Sequence, residues 1–327
     1  MSTGLIYADA FLDHDTGPGH PERPDRLRTI IERLKAKRLY DELTLLPFEP
    51  ATVAQLERVH DPAFVRRVFA TCEAGEAMFD GDTPVCPLSA QIAQLAAGGA
   101  IAAVDAVMAG DVDNAFCATR PPGHHAERGR AMGFCLFNNV AVAAQHLIDQ
   151  HRLERVAIID FDVHHGNGTQ DIFYARPDVF FCSIHEHPTF LYPGTGFVHE
   201  TGEGPGEGWT LNIPMPPRSG DEDYRYALVF KLMPLLERFE PQFVLLSAGF
   251  DAAAEDPMAH MNVTPEGFGW ITRHLLAEAR RLCDGRVVSI LEGGYHLRSL
   301  AESTRVHVEA LLRDGEGSDM MAMKMGF

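Results

Sequence analysis

The sequence predicts an α/β fold, a single domain on a mostly parallel central sheet with helices on both faces. Three observations carry that prediction. Apolar runs of strand length recur with helical segments between them, the pattern of a parallel sheet. The chain has 327 residues, 46% of them hydrophobic, at a mean hydropathy of −0.10, which is ample for a sizeable core. No internal repeat or low-complexity linker divides it.

In chain order the strand-length runs are GLIYA (4–8), NAFCA (114–118), RVAIID (155–160), VFFCSI (179–184), WTLNI (209–213), FVLLSAG (243–249) and RVVSIL (286–291). The helical segments span 23–39, 87–110, 138–150, 221–239 and 265–282. These read as one domain over 1–313. The segment 314–327, DGEGSDMMAMKMGF, reads as a frayed tail with an oligomer contact as the alternative, so homo-oligomerisation is left open.

Composition narrows the function. Lys and Arg total 28 against 46 Asp and Glu, a net charge of −18, so attraction to a phosphate backbone is not expected and nucleic acid is excluded as a partner. No run is read as reaching the ~20 apolar residues of a membrane span, and MSTGLIYADA lacks the regions of a signal peptide. No membrane partner is expected, and the cytoplasm is the expected location. Six cysteines without a CxxC pair read as reduced packing thiols.

In open α/β sheets ligands collect beyond the carboxyl ends of the strands, and here those loops are crowded with His, Asp, Gly and Tyr. After RVAIID comes DFDVHHGNGTQD. Asp162 and His164 lie two apart, so in an extended stretch both point to one side and can share a cation. Asp251 stands at the equivalent place after FVLLSAG. Two carboxylates and one imidazole, with a position left for water, suit catalytic zinc or ferrous iron. The alternative is a hydrogen-bonded pair capping a turn. Gly166 and Gly168, which make room, and the groups that follow favour the metal.

After NAFCA, His124 and His125 are adjacent. Both rings enter one site only if the backbone turns, which Pro121, Pro122 and Gly123 permit. Imidazole is the acid or base of neutral pH, and its second nitrogen needs an acceptor, for which Asp160 and Asn167 are candidates. Tyr295, behind Gly293 and Gly294, could donate to a developing oxyanion.

Together these stretches resemble the arginase-deacetylase superfamily, and more closely its zinc-dependent class II histone deacetylase-like branch. The resemblance runs from GPGHPERPDRL (17–27) to LEGGYHL (291–297) through RPPGHHA, GFCLFNNVA, DFDVHHGNGTQDIFY, SIHEHP and SAGFDAAAEDP. It implies zinc on Asp162, His164 and Asp251, with Fe2+ as the alternative metal, and Tyr295 as oxyanion donor. It implies His125 as general base and acid facing Asn167, and His124 as its electrostatic partner oriented by Asp160. A structural potassium is implied near main-chain oxygens of Asp160, Asp162, His164, Ser183 and Ile184. Gly133, Phe134, Tyr192, Met258 and Gly293 match the substrate channel, and Arg26 matches an arginine near the acetate exit, its alternative being a solvated helix residue. Tyr192 departs from the commoner phenylalanine wall. Arginases carry further aspartates where this chain has Gly166 and Ala253, so a single catalytic metal is implied.

The implied reaction is hydrolysis of an acetyl or other N-acyl amide on lysine, in a protein or peptide, releasing acetate and amine. Acetylated polyamines are the alternative substrate. Polyamine-selective relatives carry a glutamate gatekeeper after DP, where this chain has Met258, which favours acyl-lysine. A ureohydrolase and a non-catalytic acyl-lysine binding module are the remaining rivals.

Overall fold

The computed structural model describes residues 2–75 and 77–313. The expected tail, 314–327, lies outside them. In chain order the elements are β1 Thr3–Ile6, α1 Asp25–Ala36, β2 Thr44–Leu45, α2 Val53–Leu56, α3 Pro62–Glu73, α4 Ser89–Ala109, β3 Asn114–Cys117, α5 Asn139–His151 and β4 Val156–Asp160. There follow α6 Asn167–Phe173, β5 Val179–Glu186, β6 Thr210–Met215, α7 Asp221–Tyr226, α8 Met233–Phe239, β7 Phe243–Ala248, α9 Pro265–Cys283, β8 Val287–Leu291 and α10 Leu297–Leu312.

The strands form one sheet in the order β2-β1-β3-β8-β7-β4-β5-β6, every pair parallel. Each predicted strand run is a strand, and the two-residue β2 is added at one edge. The central strands are apolar on both faces because helices cover both, as a parallel sheet requires. Chain order jumps from β3 to β4 across β8 and β7, so the crevice beyond their carboxyl ends is where a ligand belongs.

Helix α1 shows how the covering layer is made. Leu27, Ile30, Ile31 and Leu34 follow the i, i+3, i+4, i+7 stripe and are buried against the core. Truncating one of them to alanine is a change that costs ~2–5 kcal/mol in a packed core. Asn138 and Thr264 cap α5 and α9 by accepting the N–H of Ala141 and Gly267.

Three expectations need correction. The segment 221–239 is helical throughout, as expected, but not uniformly α: a π-helical stretch, Ala227–Leu232, lies between α7 and α8. Pro234 follows it and has no N–H to continue an i to i−4 ladder. The 21-residue helix Ser89–Ala109 does have a membrane span's length and apolarity, with an 18-residue window at mean hydropathy 1.6, yet 67% of that window is buried inside the fold. Its Ala and Gly residues let chains approach closely: a Cβ on Gly98 would collide with the Glu49 carbonyl and one on Gly99 with Ile6. Finally, α2, α3, α6 and α10 were not foreseen. The buried side of α10 carries Ser299, Ser303, Thr304 and His307, so its apolar stripe is interrupted; His307 is satisfied by Thr272 and Ser289.

Candidate active site

The ends of β3, β4, β7 and β8 converge on one buried pocket. Beyond β4, Asp162 and His164 lie on a bent stretch rather than the extended one expected. Their side chains still converge, because Asp162 Oδ1 accepts the His164 backbone N–H at 2.8 Å and folds the chain over. Asp251 arrives from β7, pinned by the Val163 N–H donating to its Oδ1 at 3.0 Å.

His164 Nδ1 stands 3.1 Å from Asp162 Oδ1 and 3.1 Å from Asp251 Oδ2. One nitrogen carries one proton and cannot donate fully to two carboxylates at once. Three donor atoms at this spacing instead match the ~3.3 Å edge of a tetrahedron with zinc-ligand bonds near 2.0–2.1 Å. Electrostatics agree: burial opposes a charged His164, yet the flanking carboxylates push its pKa up to about 10, so the pocket demands a positive charge. The surroundings are built for the ligands. A Cβ on Gly249 would collide with Asp162 Oδ2, and one on Gly293 with Oδ2 of both Asp251 and Asp162. Gly293 instead donates its N–H to Asp162 Oδ2 at 2.7 Å. The three side chains therefore fit a zinc-class cation.

The loop after β3 turns as expected, through a cis Arg120–Pro121 bond, and delivers both imidazoles. Their ring centroids lie 4.0 Å apart. His124 Nδ1 is 2.9 Å from Asp160 Oδ2. Burial alone would lower its pKa, but Asp160, Asp162 and Glu292 outweigh that and push it up to about 10. His125 is held well below its ordinary value, first by burial and then by the positive charge on His124. Its Nδ1 is 2.7 Å from Asn167 Oδ1, while Asn167 Nδ2 donates to Glu127 at 2.8 Å. That second bond fixes the amide, so Nδ1 of His125 carries the proton and Nε2 is free to accept one.

Tyr295 stands opposite, its phenol kept protonated because burial raises its pKa. Arg26 is not a solvated helix residue. It is fully buried, its guanidinium 4.8 Å from the centre of the Tyr295 ring, donating to the carbonyls of Gly294 at 2.7 Å and Glu292 at 2.5 Å. Above the site runs a narrow channel of about 100 Å³, walled by Phe134, Tyr192, Gly133, Met258 and Asp82 and floored by His125, His164 and Tyr295. Gly133 and Phe134 both have positive φ, 57° and 69°, and a Cβ on Gly133 would press into His125. Phe134 thereby meets Tyr295 edge to face at 5.8 Å, and Tyr192 meets His125 at 5.2 Å. Ser183 pairs with Asp160 across β5 and β4, with Ile184 next to it.

Three site residues escaped the sequence reading. Glu292, fully buried, accepts the N–H groups of Gly123 at 2.7 Å and His124 at 3.1 Å and the Ser247 hydroxyl at 3.0 Å, locking the histidine loop to β7 and β8. Asp256 accepts the N–H groups of Tyr295, His296 and Met258, joining the phenol to the channel wall. Asp82 lies at the channel wall. The only signal for the first two was a carboxylate beside the motif residues.

The histone deacetylase domain family matches residues 20–311. A protein of Archaeoglobus fulgidus named a probable deacetylase is 39% identical over 327 residues, covering 99% of this chain and 89% of its own. A histone deacetylase-like amidohydrolase of Pseudomonas aeruginosa is 43% identical over 277 residues, covering 85% and 73%. The human polyamine deacetylase HDAC10 is 40% identical over 333 residues, covering 96% of this chain and 48% of its own. Among solved structures, that of the HDA15 HD domain superposes with a TM-score of 0.89 at 39% identity, covering 96% and 89%.

Proposed function

This chain belongs to the histone deacetylase family and is a hydrolytic enzyme that deacylates amides, and from that premise we propose that its substrate is an acylated lysine side chain. The observation that carries the proposal is the channel. At about 100 Å³ it suits a linear alkyl chain, and it ends between His125, His164 and Tyr295.

Asp162, His164 and Asp251 would hold zinc, with Fe2+ as the alternative, and the ion would supply Lewis-acid polarisation of the amide carbonyl and of water. Nε2 of His125 takes the proton from that water as its oxygen bonds to the carbonyl carbon. The Tyr295 hydroxyl donates to the resulting oxyanion. The carbon–nitrogen bond then breaks, the same His125 nitrogen returns the proton to the leaving amine, and carboxylate is released. Asn167 orients His125, while Asp160 orients His124, whose positive charge stabilises the developing negative charge nearby. Arg26, itself ion-paired with Glu22 at 3.2 Å, braces Tyr295 from behind. A structural potassium belongs with main-chain oxygens of Asp160, Asp162, His164, Ser183 and Ile184; the pairing of Asp160 with Ser183 supports it. A two-metal ureohydrolase is disfavoured, since a Cβ at Gly166 would collide with Asp160 Oδ2 and leaves no room for a further aspartate.

One observation favours a second substrate. Asp82 lines the channel, and its carboxyl is raised by burial and by the neighbouring Asp80, a pair of acids that would welcome a cation. The human relative's name assigns it polyamine deacetylation, whereas Met258 supplies no charge here. Turnover of an acetyl-lysine peptide and of N-acetylputrescine by zinc-reconstituted enzyme separates the two. The peptide is expected to be preferred; a polyamine preference of about a hundredfold or more would overturn the assignment.

A further inference from the structure

We propose that Asp105, His146 and His151 form a second site, outside the channel, for a borderline divalent cation of the zinc class that ties α4 to the end of α5. His146 Nε2 lies 2.8 Å and His151 Nε2 2.6 Å from the same oxygen, Asp105 Oδ1. All three donor atoms fall within 4.8 Å of one another, and the two rings are 5.7 Å apart at 67°. Two imidazoles and one carboxylate select zinc, cobalt, nickel or copper over calcium and magnesium, which prefer all-oxygen shells.

The location favours a cation in two further ways. His151 is the last residue of α5, where unpaired carbonyls give a helix its partial negative end. The side chains of His146, His151 and Asp105 are 11%, 25% and 48% exposed, so an ion can enter and water can complete its shell. Without an ion the imidazoles donate to the shared carboxylate. Loading the site replaces those two N–H contacts with two nitrogen lone pairs and spreads the donors by about half an ångström, which partly exposed side chains allow.

The consequence is a metal count of two per chain in a hydrolase that uses one. Chelator-stripped full-length protein, equilibrated with Zn2+ and analysed for bound metal, tests this together with turnover on an acetyl-lysine peptide. Wild type is expected to bind two ions, and Asp162→Ala one. The paired variant His146→Gln with His151→Gln is expected to bind one, with its turnover unchanged. Second-site affinity should fall by at least the ~10–100-fold that even outer-shell changes cost. Asp105→Asn, which keeps an oxygen facing both rings, should weaken the same site and keep the fold. The proposal fails if the paired variant still binds two ions, or if Asp162→Ala binds none.

Discussion

Two clusters in this molecule draw on carboxylate and imidazole, in inverse proportion, and differ most in what surrounds them. Asp162, His164 and Asp251 are buried, at 0%, 6% and 0% exposure, with glycines fitted against their carboxylates and backbone N–H groups holding them. Asp105, His146 and His151 are only partly buried, on two adjoining helices. Residue type alone makes both candidates for a cation. Only the buried cluster adds a free imidazole nitrogen, a protonated phenol and a channel, so the supporting structure, rather than the ligand set, separates a reaction centre from a binding site.

Breaking the buried region should therefore cost turnover in proportion to proximity. The largest single loss near the reacting carbonyl is expected for Tyr295→Phe, which keeps the ring over Arg26 and removes the donor. Turnover should fall about a hundredfold or more, the scale of one oxyanion donor, with KM little changed. Full turnover in this variant, with chemistry rate-limiting, would remove Tyr295 from the reaction.

Glu292→Gln sharpens the comparison one layer further out. It retains the shape and loses the carboxylate that receives Gly123, His124 and Ser247 together. The histidine loop should shift by a fraction of an ångström, lowering kcat roughly 10–100-fold while KM holds. A rise in KM with kcat intact would instead make Glu292 part of the substrate wall.

The legible parts of this protein were those set by local period. All seven strand runs became strands because continuous apolar segments bounded by turns have few other fates in a chain of this size. Asp162 with His164 and the paired imidazoles were readable because short motifs bring them to strand ends. The route was misread: Asp162 and His164 meet through a bend, not an extended stretch. Glu292 and Asp256 were invisible because their partners are backbone N–H groups of distant loops, which no side-chain pattern announces. Arg26 sits on an amphipathic helix among charged neighbours, and only the tertiary fold puts it beneath Tyr295. Helix α10 hid behind its buried hydroxyls and His307, whose ring is satisfied by Thr272 of α9 and Ser289 of β8.

The central claim is that one cation, held by Asp162, His164 and Asp251, suffices for the reaction. Its most direct test is a zinc titration of the stripped His146→Gln, His151→Gln protein, following turnover of an acetyl-lysine peptide. Activity should rise linearly and stop at one equivalent per chain; a rise that continues to two equivalents, or activity already complete before zinc is added, would contradict it.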